Sequence, residues 1–347
     1  ATTLLQQGYM IDIICIMKDK NNLPAAKNDP TIKNIKQVIF KKKMNFNLIL
    51  FLKSIIKQNS YQALRFYDLS IQKKIQQLVD EQEYKAIIFE SVFTTIYLQY
   101  LRLDSVDKVI FRAHNIEHKI WEDLARNSIF RKNIYLLLAS QIKRLENQAP
   151  KYVDYIFTLS QSDQEYFKNR YPNKTHNIPV TFEVKNIKNK KIKNSIAHLG
   201  SMDWRPNIEG INWFLEKVKP KLKQEDVNIY IAGKNMPEKY FKYRDSRTKI
   251  EGEVDNAKEY IINKEIIFVP LFSGSGIRIK ILEGMSLGIP IISTSKGAQG
   301  IPYKNKENIL IADNSDDFIK AIYLLINNND LAKKIGENGK KLIQNNF

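Results

Sequence analysis

The stretch Phe268-Val-Pro-Leu-Phe-Ser-Gly-Ser-Gly-Ile-Arg-Ile-Lys-Ile-Leu-Glu-Gly-Met285 combines residue types suited to holding a phosphorylated ligand. A buried-strand pattern ends at Pro270-Leu271, a short loop carries Gly274, Ser275 and Gly276, and a helix is expected to open at Ile277. Glycines let the backbone come close to an anion, and the open N–H groups of a helix N-terminus attract one. Arg278 and Lys280 fall in the first turns, where two cations can neutralise a diphosphate. Glu283, about a turn further on, can accept two hydrogen bonds from ribose hydroxyls. The glycine pair alone reads as an ordinary turn beside a solvated helix face. The strand–loop–helix setting, with two cations and a carboxylate, turns the reading toward a binding site.

A second turn of this kind is Leu199-Gly-Ser-Met-Asp-Trp-Arg-Pro-Asn207. Gly200 and Ser201 would present backbone N–H groups at a strand end, Arg205 offers a further phosphate ligand, and Pro206 suits the first turn of the next helix. The alternative is a capped turn packed by Trp204. In the N-terminal half, Phe111-Arg-Ala-His-Asn-Ile-Glu-His118 also runs from a strand end into a helix and puts His114 at a sheet edge. There the alternative is a hydrogen-bonded structural histidine, with Asn115, Glu117 and His118 capping the helix. Other chemistries are excluded. The sequence has no Cys/His cluster at zinc spacing, no Gly-x-x-x-x-Gly-Lys-Ser/Thr loop and no Gly-x-Ser-x-Gly elbow. It also has no Asp-x-Asp, so metal is expected to be absent and the charge of a diphosphate falls to Arg, Lys and helix dipoles.

These groups need a framework. Short runs rich in β-branched or aromatic residues predict strands at Met10–Met17, Ala86–Ser91, Lys108–Ala113, Asp154–Leu159, Ile196–Gly200, Asn228–Gly233, Ile266–Leu271 and Ile289–Ser293. Apolar residues three and four apart predict helices at Ile116–Glu146, Gln161–Arg170, Asn207–Val218, Ile277–Leu287 and Asp316–Asn327. Alternating strands and helices make an α/β chain with parallel sheets covered on both faces. The Lys/Asn-rich segment Glu183–Asn194 reads as a linker, which divides the 347 residues into domains at 1–183 and 195–347 joined by 184–194. Two such domains would face each other across a cleft at the carboxyl ends of their sheets, where α/β folds place ligands.

The formal net charge of +18 is spread through both halves. It reads either as a solvated Lys-rich surface or as attraction to a nucleotide diphosphate, an acidic glycan or a phospholipid surface. The lone Cys15, in an apolar run, reads as a packed thiol in a reducing compartment. No stretch reaches the ~20 apolar residues of a membrane span, and no signal peptide is visible. The run Phe46–Ile56, interrupted by Lys53 and preceded by Lys41-Lys-Lys43, is either a core helix or an interfacial anchor on an anionic membrane. Both ends read as cut from a longer chain, with the domain's first strand expected before Ala1.

Gly200-Ser-Met-Asp-Trp-Arg-Pro-Asn207, Ser273-Gly-Ser-Gly-Ile-Arg-Ile-Lys-Ile-Leu-Glu-Gly-Met285 and Ile292-Ser-Thr-Ser-Lys-Gly-Ala-Gln-Gly-Ile301 together resemble the group-1 (family 4) retaining glycosyltransferases of GT-B fold, nearest the subgroup that builds bacterial surface polysaccharides. The resemblance covers nearly all of 195–325. It is looser over 85–180, through His114-Asn-Ile-Glu-His118 and Thr158-Leu-Ser-Gln-Ser-Asp163. It implies two Rossmann-like domains, an acceptor domain followed by a donor domain. It also implies a cytoplasmic enzyme that moves a sugar from a UDP- or GDP-linked donor, a co-substrate rather than a cofactor, to a glycan or lipid-linked acceptor. The implied catalytic residues are His114, near the leaving bond, with Arg278 and Lys280 on the diphosphate. The implied donor contacts are Gly200, Ser201 and Arg205, Gly252 and Val254 along the base, the loop Gly274, Ser275, Gly276 and Ile277, and Glu283 on the ribose. Many members carry a Glu eight residues before the ribose Glu; here that position is Ser275, so a role for that first carboxylate does not transfer. The family's N-terminal glycine-rich loop is not in the chain. A nucleotide-sugar 2-epimerase of the same architecture and a basic non-catalytic membrane or nucleic-acid module are the competing readings. The epimerase would want more acid/base groups than four histidines suggest, and the nucleic-acid module would want clustered Lys/Arg with interleaved aromatics.

Overall fold

The computed structural model describes residues 2–18, 35–126, 128, 130–182, 184, 190–222, 227–274 and 276–347. The chain divides into two compact units, one of residues 1–157 and 167–176, the other of 158–166 and 177–347. Residues 158–166 thus group with the second unit, whereas the sequence reading kept everything to 183 in the first. Of the expected linker and its flank, residues 183 and 185–189 lie outside the described residues.

Up to residue 177 the elements are α1 (Thr2–Gln6), β1 (Ile11–Lys18), β2 (Ile35–Lys42), α2 (Leu48–Ile56), α3 (Tyr61–Leu64), α4 (Leu69–Glu81), β3 (Ile87–Glu90), β4 (Val109–Ala113), α5 (Glu117–Arg126), α6 (Lys132–Gln148), β5 (Tyr155–Thr158), α7 (Gln161–Lys168) and β6 (Thr175–Asn177). β1 and β2 form a parallel pair of their own, and β3-β4-β5-β6 form a four-stranded sheet. The helix expected over Ile116–Glu146 is two helices, α5 and α6. Ser128, a poor helix former, lies at the break. Cys15 is half-buried on β1 rather than sealed in a core. α2 is not a core helix either. Most of its apolar residues are exposed and its buried residue is Ser54.

From residue 192 on, the elements are β7 (Ile192–Leu199), α8 (Arg205–Trp213), β8 (Asn228–Ala232), β9 (Thr248–Ile250), α9 (Ala257–Ile262), β10 (Lys264–Val269), α10 (Ile279–Ser286), β11 (Ile291–Ser293), β12 (Leu310–Ile311), α11 (Ser315–Ile326) and α12 (Asn329–Asn346). The six strands are ordered β12-β11-β10-β7-β8-β9. Both faces of this sheet are buried, which is why β10 reads as an unbroken apolar run. Ile266 and Phe268 point into one core with Phe214 and Phe318, and Ile267 and Val269 into the other with Ile281, Leu282 and Met285. Phe214 stacks on Phe268 with centroids 4.2 Å apart. After Trp213, α8 passes into a π-helical turn, Phe214–Val218, where a continuous α-helix was expected. The strand order reverses beside β7. From β7 the chain moves outward through β8 and β9, and from β10 it moves outward the other way through β11 and β12. Loops leaving the carboxyl ends of β7 and β10 therefore part company, and the crevice left between them is where open α/β sheets bind ligands.

Candidate active site

The loop after β7 and the loop after β10 carry most of the residues singled out in the second unit. Gly200 follows β7 directly, but its N–H, expected to be open to a phosphate, donates to Ala232 O (3.0 Å) because β8 pairs alongside. Gly233, which the sequence reading passed over, presses against it. A Cβ at Gly233 would collide with the Gly200 carbonyl. The Gly233 N–H in turn donates to Gly252 O (2.9 Å) beyond β9. Gly200, Gly233 and Gly252 thus form a row of bare backbone along the carboxyl ends of three adjacent strands. Val254 is half-buried just past this row, beside Glu253, which pairs with Lys234 at 3.5 Å.

A Cβ at Gly200 would also stand 2.5 Å from Lys280 Nζ, so the ammonium lies against the glycine backbone. Lys280 donates to Asn207 Oδ1 (2.9 Å), and Asn207 Nδ2 donates to Ser201 O (2.8 Å). Asn207, buried in the first turn of α8, therefore ties the two loops together. The Ser201 hydroxyl donates to Asp203 Oδ1 (2.6 Å). Desolvation of the ammonium, and then the neighbouring Arg278 charge, pull the Lys280 pKa down to about 7. Beneath lies His198, fully buried on β7 and held well below its ordinary pKa by burial and by Lys280. Its Nδ1 donates to Phe268 O (3.0 Å), and it is neutral.

Arg278 is the N-cap of α10 rather than a residue of its first turn, because the helix starts two residues later than expected. Its side chain is buried, lies 5.1 Å from the Trp204 ring centroid and donates to Ser273 O (3.4 Å). Gly274 takes φ +94°, and a Cβ there would meet Arg278, Trp204 and Pro206. Gly276 also has positive φ, and Ile277 packs half-buried against the Leu271 and Ile281 core. Ser275 lies outside the described residues. Arg205 and the loop share Glu209, whose carboxylate accepts from Arg205 Nε (3.0 Å) and from Ser273 Oγ (2.6 Å). Glu283 is half-buried and burial raises its pKa; its carboxylate has no hydrogen-bond partner among the described residues.

In the first unit, His114 sits at the end of β4. Its Nε2 is 2.5 Å from Glu90 Oε2 at the end of β3, and Arg112 donates to the same carboxylate (3.2 Å). Burial alone would raise the Glu90 pKa, but the His114 hydrogen bond and the Arg112 charge hold it below the usual value. A carboxylate that stays ionised makes His114 Nε2 the donor. Ser91, next to Glu90, has φ +75° and so occupies a backbone conformation rare for a side-chain-bearing residue. His118 serves structure. It is buried, and its Nδ1 pairs with Glu146 of α6, whose other oxygen accepts the Glu117 N–H (2.6 Å) and so caps α5. Among the described residues no group of three or more His, Cys, Asp or Glu is placed to hold a metal ion.

Residues 193–328 match the family described as Glycosyl transferases group 1. The second unit is a group-1 glycosyltransferase domain. The chain is 25% identical over 299 residues to an uncharacterised 44.6 kDa protein of the cps region of Klebsiella pneumoniae, covering 82% of this chain and 76% of that one. It is 27% identical over 218 residues to an uncharacterised glycosyltransferase of Methanocaldococcus jannaschii, covering 57% and 55%. Among solved structures, a sucrose-phosphate synthase of Thermosynechococcus elongatus superposes with TM-score 0.70 at 13% identity over 99% of this chain and 86% of that one. The TarM protein of S. aureus, crystallised as a mutant with fondaparinux, alpha-GlcNAc-glycerol and UDP, superposes with TM-score 0.63 at 14% identity over 80% and 55%. The chain thus spans about half the length of TarM and of the archaeal relative. The fold is the GT-B type, with Rossmann-like α/β units.

Proposed function

We propose that this group-1 glycosyltransferase chain moves a hexosyl group from a nucleotide-diphosphate sugar to a glycan or lipid-linked acceptor, with retention and without a metal ion, in the assembly of a surface polysaccharide. The observation that carries the reading is the reversal of strand order beside β7. There the bare backbone of Gly200 lies against the Lys280 ammonium, and the β10 loop brings Arg278. As the sugar departs through an oxocarbenium-like state, negative charge grows on the leaving diphosphate. Fixed cations and N–H groups in a desolvated crevice stabilise that charge more than they stabilise the intact donor. In this reading Lys280, Arg278, Gly200 and Ser201 meet the phosphates, with Arg205 at the flank and Gly274, Ser275, Gly276 and Ile277 as further donor contacts. Glu283 meets the ribose, Gly252 and Val254 the base, and His114 the transferred sugar. UDP is the nucleotide named with TarM, and UDP or GDP would satisfy the same phosphate contacts. The cps-region relative supports the polysaccharide setting, and a cytoplasmic location follows from use of a nucleotide sugar. The epimerase reading lacks support: His198 is the second unit's only histidine, and it is buried and neutral.

The test is transfer from a panel of labelled UDP- and GDP-sugars with excess chelator present, with NMR of the product's anomeric centre. Strict dependence on added divalent metal, an inverted product, or release of free sugar only would each remove the corresponding part of the reading.

A further inference from the structure

A helix on a water-exposed face normally turns its polar side outward. α2 does the reverse. Its buried residue is Ser54, whose Oγ accepts from Gln141 Nε2 (3.1 Å), while Gln141 Oε1 accepts from Tyr61 N (2.9 Å). Asn47 caps the helix through Leu50 N (2.9 Å), and its own N–H donates to the Tyr61 hydroxyl (3.0 Å). These polar pins fix the helix in place. The outward side is apolar: Phe46, Leu48, Ile49, Leu52, Ile55 and Ile56 are between 42% and 80% exposed. An exposed apolar patch with a charged rim marks an interaction surface.

The rim has one sign. From Ile35 to Tyr67 the sequence holds seven Lys or Arg and no Asp or Glu. Lys41, Lys43, Lys53 and Lys57 are all exposed. The contacts of Ser54 with Gln141 and of Gln58 with Arg144 run α2 parallel to α6. Toward the start of α6, Phe130, Ile134 and Leu136 are exposed beside the exposed Arg131 and Lys132. A second copy of the chain would bring lysine-rich rims face to face, which like-charge repulsion opposes. A bilayer of anionic lipid offers a layer of phosphate with an apolar layer directly beneath it, the order in which this face presents lysines and large apolar side chains. No helix among the described residues is long and apolar enough to cross a membrane.

We propose that α2 with its lead-in Phe46, and the start of α6 beside it, seats the chain peripherally on an anionic lipid surface. The proposal rests, for its purpose, on the reading that the acceptor is lipid-linked; its geometry stands without that reading. The experiment is co-sedimentation of the full chain with vesicles of phosphatidylcholine alone or with one third phosphatidylglycerol, at low and high salt. We expect partition on anionic vesicles at low salt to exceed that on neutral vesicles by about tenfold or more, since each rim lysine adds to the attraction, and to fall at high salt. Leu52→Glu combined with Ile56→Glu should reduce partition by a similar factor. Both positions are exposed, so the far-ultraviolet spectrum and thermal midpoint should hold. Lys53→Glu with Lys57→Glu provides a second route that leaves the apolar residues in place. Protein left in the supernatant with anionic vesicles at low salt overturns the proposal, as does wild-type partition by both pairs of variants. A concentration-dependent dimer that Leu52→Glu with Ile56→Glu dissolves, without vesicle binding, overturns it too. UDP affinity measured on the same samples reports on the donor site alone, so either result leaves the other interpretable.

Discussion

Glu90 and His114 meet at the ends of β3 and β4 with nearly half of each side chain in solvent, whereas at the ends of β7 and β10 Arg278 is buried and Lys280 half-buried against glycine backbone. In the first arrangement Arg112 and the His114 hydrogen bond satisfy the Glu90 carboxylate, and water screens what remains. In the second two cations share a confined space, and the Arg278 charge helps to pull the Lys280 pKa down. The first is cheap to keep and free to reorient. The second is held in a state that an anion would relieve, which is how a binding site differs electrically from a surface ion pair.

The largest effect should come from the backbone that supports the second arrangement. Gly233→Ala places a Cβ against the Gly200 carbonyl. It should cost about 1–3 kcal/mol of stability and also weaken nucleotide binding. Denaturant midpoints together with UDP titration check both, and wild-type values would mean that the strand ends are not interlocked. Next, Lys280→Ala should weaken UDP binding by about 1.5–3 kcal/mol, the range for a charged hydrogen bond. Its stability should hold or rise, because the change removes a desolvated charge beside Arg278. A loss of stability with unchanged affinity would make Lys280 a strut for Asn207 instead.

The third effect is in pH. Lys280 titrates near 7 in the folded chain and far higher when unfolded. Between those values the unfolded state holds more protons, so this residue's contribution to stability grows as pH rises above about 7 and is least favourable below it. A bound diphosphate favours the charged form. UDP affinity should therefore fall as pH rises past 7, with proton uptake on binding at pH 8 and little at pH 6. Calorimetry in buffers of different ionisation enthalpy measures this, and equal uptake at both pH values would break the contrast. The smallest effect belongs to the exposed pair. Glu90→Gln should change stability by less than about 1 kcal/mol, as screened ion pairs do. Because the folded pKa of Glu90 is lowered, its contribution is full above its unfolded value and disappears as pH falls through the folded one. UDP affinity should stay within about twofold, the span of a fraction of a kcal/mol, while transfer slows if the pair orients His114.

Local sequence carried the strand, loop and helix from Phe268 to Met285, because a buried strand, glycines and a cation-bearing helix start are each written in adjacent residues. The reading missed what depends on strand order. Gly233 and Asn207 matter because β8 lies beside β7 and α8 comes back over the β10 loop, and no residue spacing encodes that neighbourhood. Glu209 is similar, since its partner Ser273 is remote in sequence. β9 and β12, of three and two residues, are too short to show a period. The apolar run of α2 gave the helix but not its outward side, because hydrophobicity records what a residue prefers and not which way the fold turns it.

The π-helical turn Phe214–Val218 has a bearing on how relatives of this chain are to be aligned. Such a turn holds about one residue more than the α turn it replaces, and so rotates everything beyond it by roughly 100° about the helix axis. Before it, α8 presents Asn207 and Glu209 to the loops; within it, Phe214 and Val218 are fully buried in the core with Phe268 and Phe318. The wider turn lets α8 face the loops while the turn itself faces the core. A relative lacking one residue between 213 and 219 would keep both segments in sequence but not the orientation of each. A single-residue gap there signals a choice between site and core, not a neutral loop deletion.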